Sequence, residues 1–133
     1  MKAAKTAKLR EVVETAVKLH MPVNIGTEMN KAGLPFVDDL EGEALRSYRE
    51  AFVSGARIFV GHTLLLRYAG FPYLGPLAAA EFGSDTGAKN RFFESVGKLP
   101  PLGERLAKRL EDTGAEKALA AIRDSARAGE WKK

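Results

Sequence analysis

Apolar residues recur at helical spacing from the start of the chain. Leu9, Val12, Val13, Ala16, Val17 and His20 share one stripe, so residues 4–20 read as an amphipathic helix that Pro22 cannot continue. Val23-Asn24-Ile25-Gly26 then alternates apolar and polar, the pattern of a short strand. A loop from Gly26 to Asp38 carries Gly33 and Pro35. Asp38 with Glu41 three residues on resembles a capping box, opening a helix with Leu40, Ala44, Leu45, Tyr48, Ala51, Phe52 and Gly55 on one face.

Gly55 is read as the end of that helix and Arg57-Ile58-Phe59-Val60-Gly61 as a second strand. The alternative is one kinked helix running to Tyr68 with Gly55 and Gly61 inside it. Glycine costs about 1 kcal/mol per interior helical position relative to alanine, which favours the break. Thr63 to Ala69 is helical either way, with Gly70 as its C-terminal cap. After the rigid turn Phe71-Pro72-Tyr73-Leu74-Gly75-Pro76, helices are expected at 76–82, 85–96, 102–113 and 115–128, with Gly83, Gly97, Gly114 and Gly129 at their ends. Phe71, Tyr73, Phe82, Phe92 and Phe93 are expected to form core. The fold expected is therefore mainly α: several short helices, one or two short parallel strands, and a helical C-terminal half. It is taken as a single domain over 1–133, with a helix–strand–helix–strand unit at 1–70 and a helical tail at 71–133.

Composition narrows the function classes. With 45% hydrophobic and 29% charged residues the chain is ordinary for a globular protein, and with no cysteine it has no disulfide, thiolate zinc site or cysteine nucleophile. No apolar run approaches the roughly 20 residues that span a bilayer, and no signal-peptide core stands near Met1, so a cytoplasmic protein is expected. The net charge of +4 gathers at the ends: residues 1–20 hold five basic and two acidic side chains, and residues 101–133 hold eight and six. In the C-terminal stretch the signs interleave, as on a solvated helix face, and aromatic residues do not interleave with basic ones, which argues against nucleic acid as a partner.

The segment richest in candidate chemistry is Gly26 to Asp39. Glu28 and Asn30, two apart just past the first expected strand, project to one side in extended backbone, where two oxygens can serve a hard divalent cation. A solvent-exposed Glu28 and a turn-forming Asn30 are the plainer alternative. His62 follows the second expected strand and could join Glu28 and Asn30 in a partial metal site, or else cap the helix of Thr63. Asp38, Asp39, Glu41 and Glu43 form an acidic cluster able to bind a cation or to stabilise a helix N-terminus. His20 is expected to sit against the C-terminal end of the first helix dipole.

The run helix, Pro-led strand, Gly26-Thr27-Glu28-Met29-Asn30 resembles the last helix–strand unit of the polymerase-and-histidinol-phosphatase (PHP) family, which usually ends in Gly-Ser-Asp-x-His. That resemblance covers about residues 8–40 and implies a distorted β/α barrel whose divalent metal cluster hydrolyses phosphate esters. Gly26 matches the family's glycine, Thr27 its serine, Glu28 its metal-binding aspartate and Asn30 its metal-binding histidine. Both ligand positions are changed, and the family's His-x-His pair has no counterpart, since the chain holds only His20 and His62. The resemblance thus implies the end of a barrel, inactive alone, with Glu28 and Asn30 at the metal-ligand positions and Thr27 beside them. Taken with the reading of the residues above, Glu28, Asn30 and His62 are expected as metal ligands for Mn, Zn or Mg, and Thr27, Asp38 and Asp39 as binding residues. An isolated barrel end leaves apolar faces uncovered, so a homo-oligomer or a second polypeptide is expected as partner. The alternative expectation, from a different class, is a non-catalytic helical protein-interaction module, as a homodimer.

Overall fold

The computed structural model describes residues 2–26, 31–34 and 39–132. They form two compact units, Met1–Ala56 and Arg57–Lys133. Six α-helices lie among the described residues: α1 Lys2–Lys18, α2 Arg49–Ala69, α3 Pro76–Phe82, α4 Thr86–Gly97, α5 Glu104–Thr113 and α6 Ala115–Ala128, with a 3₁₀ turn at Arg46–Tyr48 before α2. The mainly α expectation holds. The strands expected at 23–26 and 57–61 are not there: the first segment is irregular backbone and the second lies inside α2.

In the first unit, α1 ends as its sequence suggests, but by a different device. His20 takes a left-handed conformation (φ 53). Its N–H donates to the Val17 carbonyl at 3.1 Å and that of Met21 to Ala16 at 2.8 Å, the paired bonds of a Schellman turn. Val13 on α1 and Phe52 on α2 are buried, whereas Val12 and Val17 of the expected apolar stripe face outward. The helix start expected at Asp38 is displaced to Arg49. Asp38 lies outside the described residues. The Asp39 carboxylate accepts the Glu41 N–H at 3.0 Å, and the Asp39 carbonyl accepts that of Gly42 at 3.1 Å. Such local side-chain bonds fold the backbone into a turn in competition with helix. Glu41 then pairs with Arg49 at 2.7 Å where α2 begins.

Gly55 and Gly61 sit inside α2 because both are points of backbone contact. A Cβ at Gly55 would fall on the Val23 carbonyl oxygen, so the strand-like segment is packing partner to the glycine rather than member of a sheet. Within the second unit the arrangement is reciprocal. A Cβ at Gly61 of α2 would fall on the Phe93 carbonyl of α4, and one at Gly97 of α4 on the Arg57 carbonyl of α2. Residues 57 and 61, and 93 and 97, are each four apart and so share a helix face. Glycines of two helices therefore meet the opposite backbone along one seam, and the propensity cost that favoured a break is offset by contacts that no larger residue permits.

The remaining helices of the second unit close around α4. Helix α3 packs on α4, and α6 packs on both α4 and α5. Pro76 opens α3, and the Asp85 side chain accepts the Ala88 N–H at 2.8 Å to cap α4. Leu65, Phe93, Val96, Ala118 and Ile122 are fully buried. The expected aromatic core is present: Phe92 meets Phe71 edge-on at 6.0 Å and Phe93 at 5.4 Å, while Tyr73 meets Phe93 at 5.1 Å. Arg123 of α6 lies over the Phe92 ring at 4.6 Å and forks onto Glu81 of α3, with one bond of 2.7 Å. The bidentate pair ties α6 to α3 across the edge of the core.

Replacing Gly61 or Gly97 by alanine should lower stability by about 1–3 kcal/mol, because a backbone shift outweighs alanine's better helix propensity. Gly26→Ala, with open space around the added Cβ, should be close to neutral. Chemical denaturation of the three variants checks this ordering.

Candidate interaction surface

The candidate ligands distribute unevenly over the structure. Thr27, Glu28, Asn30 and Asp38 lie outside the described residues. Asp39 is exposed and engaged in the turn before α2. His62 is half-buried in the middle of α2, neither at a strand end nor at a helix start. Its Nδ1 accepts the backbone N–H of Tyr73 at 3.0 Å, which leaves the proton of the neutral ring on Nε2. Among the described residues no three His, Asp or Glu side chains gather to hold a metal. The acidic cluster around Asp39 is instead drawn into turn bonds and the Glu41–Arg49 pair.

The His62–Tyr73 bond has a structural consequence. It fastens the turn 70–75 to the side of α2, because the freed Tyr73 N–H has no helical partner and needs an acceptor. Behind it the Tyr73 hydroxyl donates to Asn90 Oδ1 of α4, and the Lys89 ammonium lies 4.2 Å from the Tyr73 ring centroid. Burial raises the Tyr73 pKa above its ordinary 10.0.

On the outward side of α2 an apolar seam runs past this bond. Phe59, Thr63 and Leu66 follow at spacings of four and three, so they stand one above another on a single face. Phe59 is 61% exposed and Leu66 48% exposed. The Thr63 hydroxyl donates back to the Phe59 carbonyl at 3.0 Å, so this position brings no unpaired hydroxyl to the seam. The Phe59 ring stands 6.3 Å from that of His62, and the turn held by His62 presents Leu74, 82% exposed. The opposite face of the same helix is the glycine seam and the buried Ile58 and Leu65.

No family model, curated protein or solved structure matches the chain. Its own geometry therefore carries the functional argument. Among the described residues no helix is long and apolar enough to cross a membrane. The seam itself was hidden by the strand assigned to 57–61, in which Phe59 belonged to a two-residue alternation. The sequence signal that finds it is the helical register of Phe59, Thr63 and Leu66 once Gly61 is kept inside the helix.

His62→Ala should cost about 1 kcal/mol of stability by leaving the Tyr73 N–H without its acceptor, and His62→Asn should recover part of it by offering an amide oxygen near the Nδ1 position. Urea unfolding of both variants tests the assignment. The raised Tyr73 pKa gives a second test. Its contribution is complete below the unfolded value near 10 and is lost as pH climbs through the higher folded value. Wild type should therefore lose stability relative to Tyr73→Phe as pH rises past about 10, as read from urea midpoints.

Proposed function

We propose that the protein is a non-catalytic helical interaction module that pairs with a second copy of itself through the outward face of α2. The observation that carries this reading is the exposed seam of Phe59 and Leu66 on a helix whose other face is already packed. A helix that is apolar all round is one whose whole circumference is to be covered, and here one side remains open. The seam also fits its own image. A two-fold axis passing near Thr63 would set Phe59 of one copy against Leu66 of the other, large residues flanking a small centre, as an isologous contact requires. No charged residue stands on the Phe59–Thr63–Leu66 line itself, and Arg67 beside it is already paired with Glu111. Leu74 in the turn pinned by His62 extends the apolar surface beside it.

This reading is favoured over a piece of a metal-dependent phosphoesterase because Arg57–Gly61, where a barrel strand was expected, belongs to α2. The Gly26–Asn30 motif plays no part in this reading, and a divalent metal is not needed for the proposed role.

Sedimentation equilibrium at about 0.1 mM, where even a micromolar dimer is well populated, should show a two-fold assembly. Phe59→Glu and Leu66→Glu should each return it to a monomer, since pairing would bury an uncompensated carboxylate in each copy. Their thermal midpoints should fall no further than that of the dilute wild type. A wild-type protein that stays monomeric at that concentration would sink the proposal.

A further inference from the structure

A second surface of the Arg57–Lys133 unit has the opposite character. After α6 the chain turns back: the Lys132 N–H donates to the buried Ser125 hydroxyl at 3.1 Å, and Arg109 of α5 donates to the Lys132 carbonyl at 2.8 Å. Trp131 donates its indole N–H to the Pro100 carbonyl at 2.7 Å. These bonds fix the indole beside α5 and form a groove lined by Arg105, Leu106, Arg109, Trp131 and Lys132.

The charge of this groove is one-sided. Elsewhere Arg49, Arg57, Arg67, Arg123 and Arg127 each meet a carboxylate. The groove lining holds three cationic side chains and no carboxylate, and among the described residues neither Arg105, Arg109 nor Lys132 forms an ion pair. Arg105 and Arg109 stand four apart on one helix face, so their guanidinium groups rise side by side. Trp131 is half-buried against the core and its N–H is already used, so what it offers the groove is aromatic ring surface. A fixed aromatic face flanked by unpaired cations matches a base with its phosphates, and base stacking of this kind is tolerant of sequence.

We infer that the groove between α5 and Trp131–Lys132 binds single-stranded nucleic acid, with Trp131 stacking on a base and Arg105, Arg109 and Lys132 meeting phosphates. The aromatic and basic residues are interleaved in space although not in sequence, since Trp131 lies 22 positions after Arg109.

Trp131 is the chain's single tryptophan, so its fluorescence reports on this site alone. Titrating the full chain with an oligothymidine of about ten nucleotides, within the usual site size, should quench that emission saturably. Three phosphate contacts should give a slope of about −2 in log affinity against log salt. Arg105→Glu and Lys132→Glu each reverse a charge whose side chain makes no bond among the described residues, so circular dichroism should be unchanged while affinity falls about tenfold. Saturable quenching with that salt slope and that loss supports the site. Absence of saturable quenching, unchanged affinity in both folded variants, or equal quenching by an oligoglutamate peptide would overturn it, the last by making the groove a site for acidic peptides.

Discussion

The second unit is organised around the approach of two backbones, α2 and α4, along a seam where glycine is the only residue that fits. Gly61 lies against the Phe93 carbonyl and Gly97 against the Arg57 carbonyl. Each glycine costs about 1 kcal/mol of helix propensity, and the return comes from van der Waals contact over a length of helix that side chains would otherwise hold apart. The approach also sets what α4 does next. With its backbone against α2, the Phe92–Phe93 pair is aimed at Phe71, Tyr73 and Phe82, and the aromatic cluster closes beneath the turn that leaves α2. Helix α6 then covers that cluster, with Arg123 over Phe92 and bound to Glu81.

The same constraint shapes the outer surface. The close contact of Gly61 with α4 fixes the rotation of this stretch of α2 about its axis. Ile58 and Leu65 then turn inward, and Phe59 and Leu66 turn outward. The outward seam is a consequence of the inward one, with residue spacing as the link. His62 stands at the edge between the two faces and takes the Tyr73 N–H, which brings the exposed Leu74 alongside.

Much of the fold was legible in the sequence wherever the governing forces are local. Pro76 opening a helix, Gly70 and Gly129 closing two others, and the aromatic run from Phe71 behaved as their residue types dictate. The misreadings share one cause. Gly55 and Gly61 were weighed by helix propensity alone, whereas their worth lies in contacts with Val23 and Phe93, one far back and one far ahead in the chain. Asp38 was read as a helix cap and lies outside the described residues, while its neighbour Asp39 accepts the Glu41 N–H in a turn; capping and turn formation use the same carboxylate-to-amide bond, and only the following backbone decides which occurs. His62 was placed at a strand end by the same break at Gly61. The Gly26–Asn30 motif was visible as chemistry, but its Thr27, Glu28 and Asn30 fall outside the described residues. Trp131 and Arg109 meet through a chain reversal that no local pattern encodes.

The two surfaces proposed for function differ in physical kind, and salt separates them. Pairing along Phe59 and Leu66 removes apolar area from water and involves no charge, so added salt leaves it intact, and strongly excluded salts such as sulfate strengthen it. Binding at Arg105, Arg109 and Lys132 releases counterions from a phosphate backbone and weakens steeply as salt rises. An assembly that persists in high salt while nucleic acid is shed belongs to α2. One that dissolves together with the nucleic acid would have to be bridged by the strand itself, through the grooves beside α5.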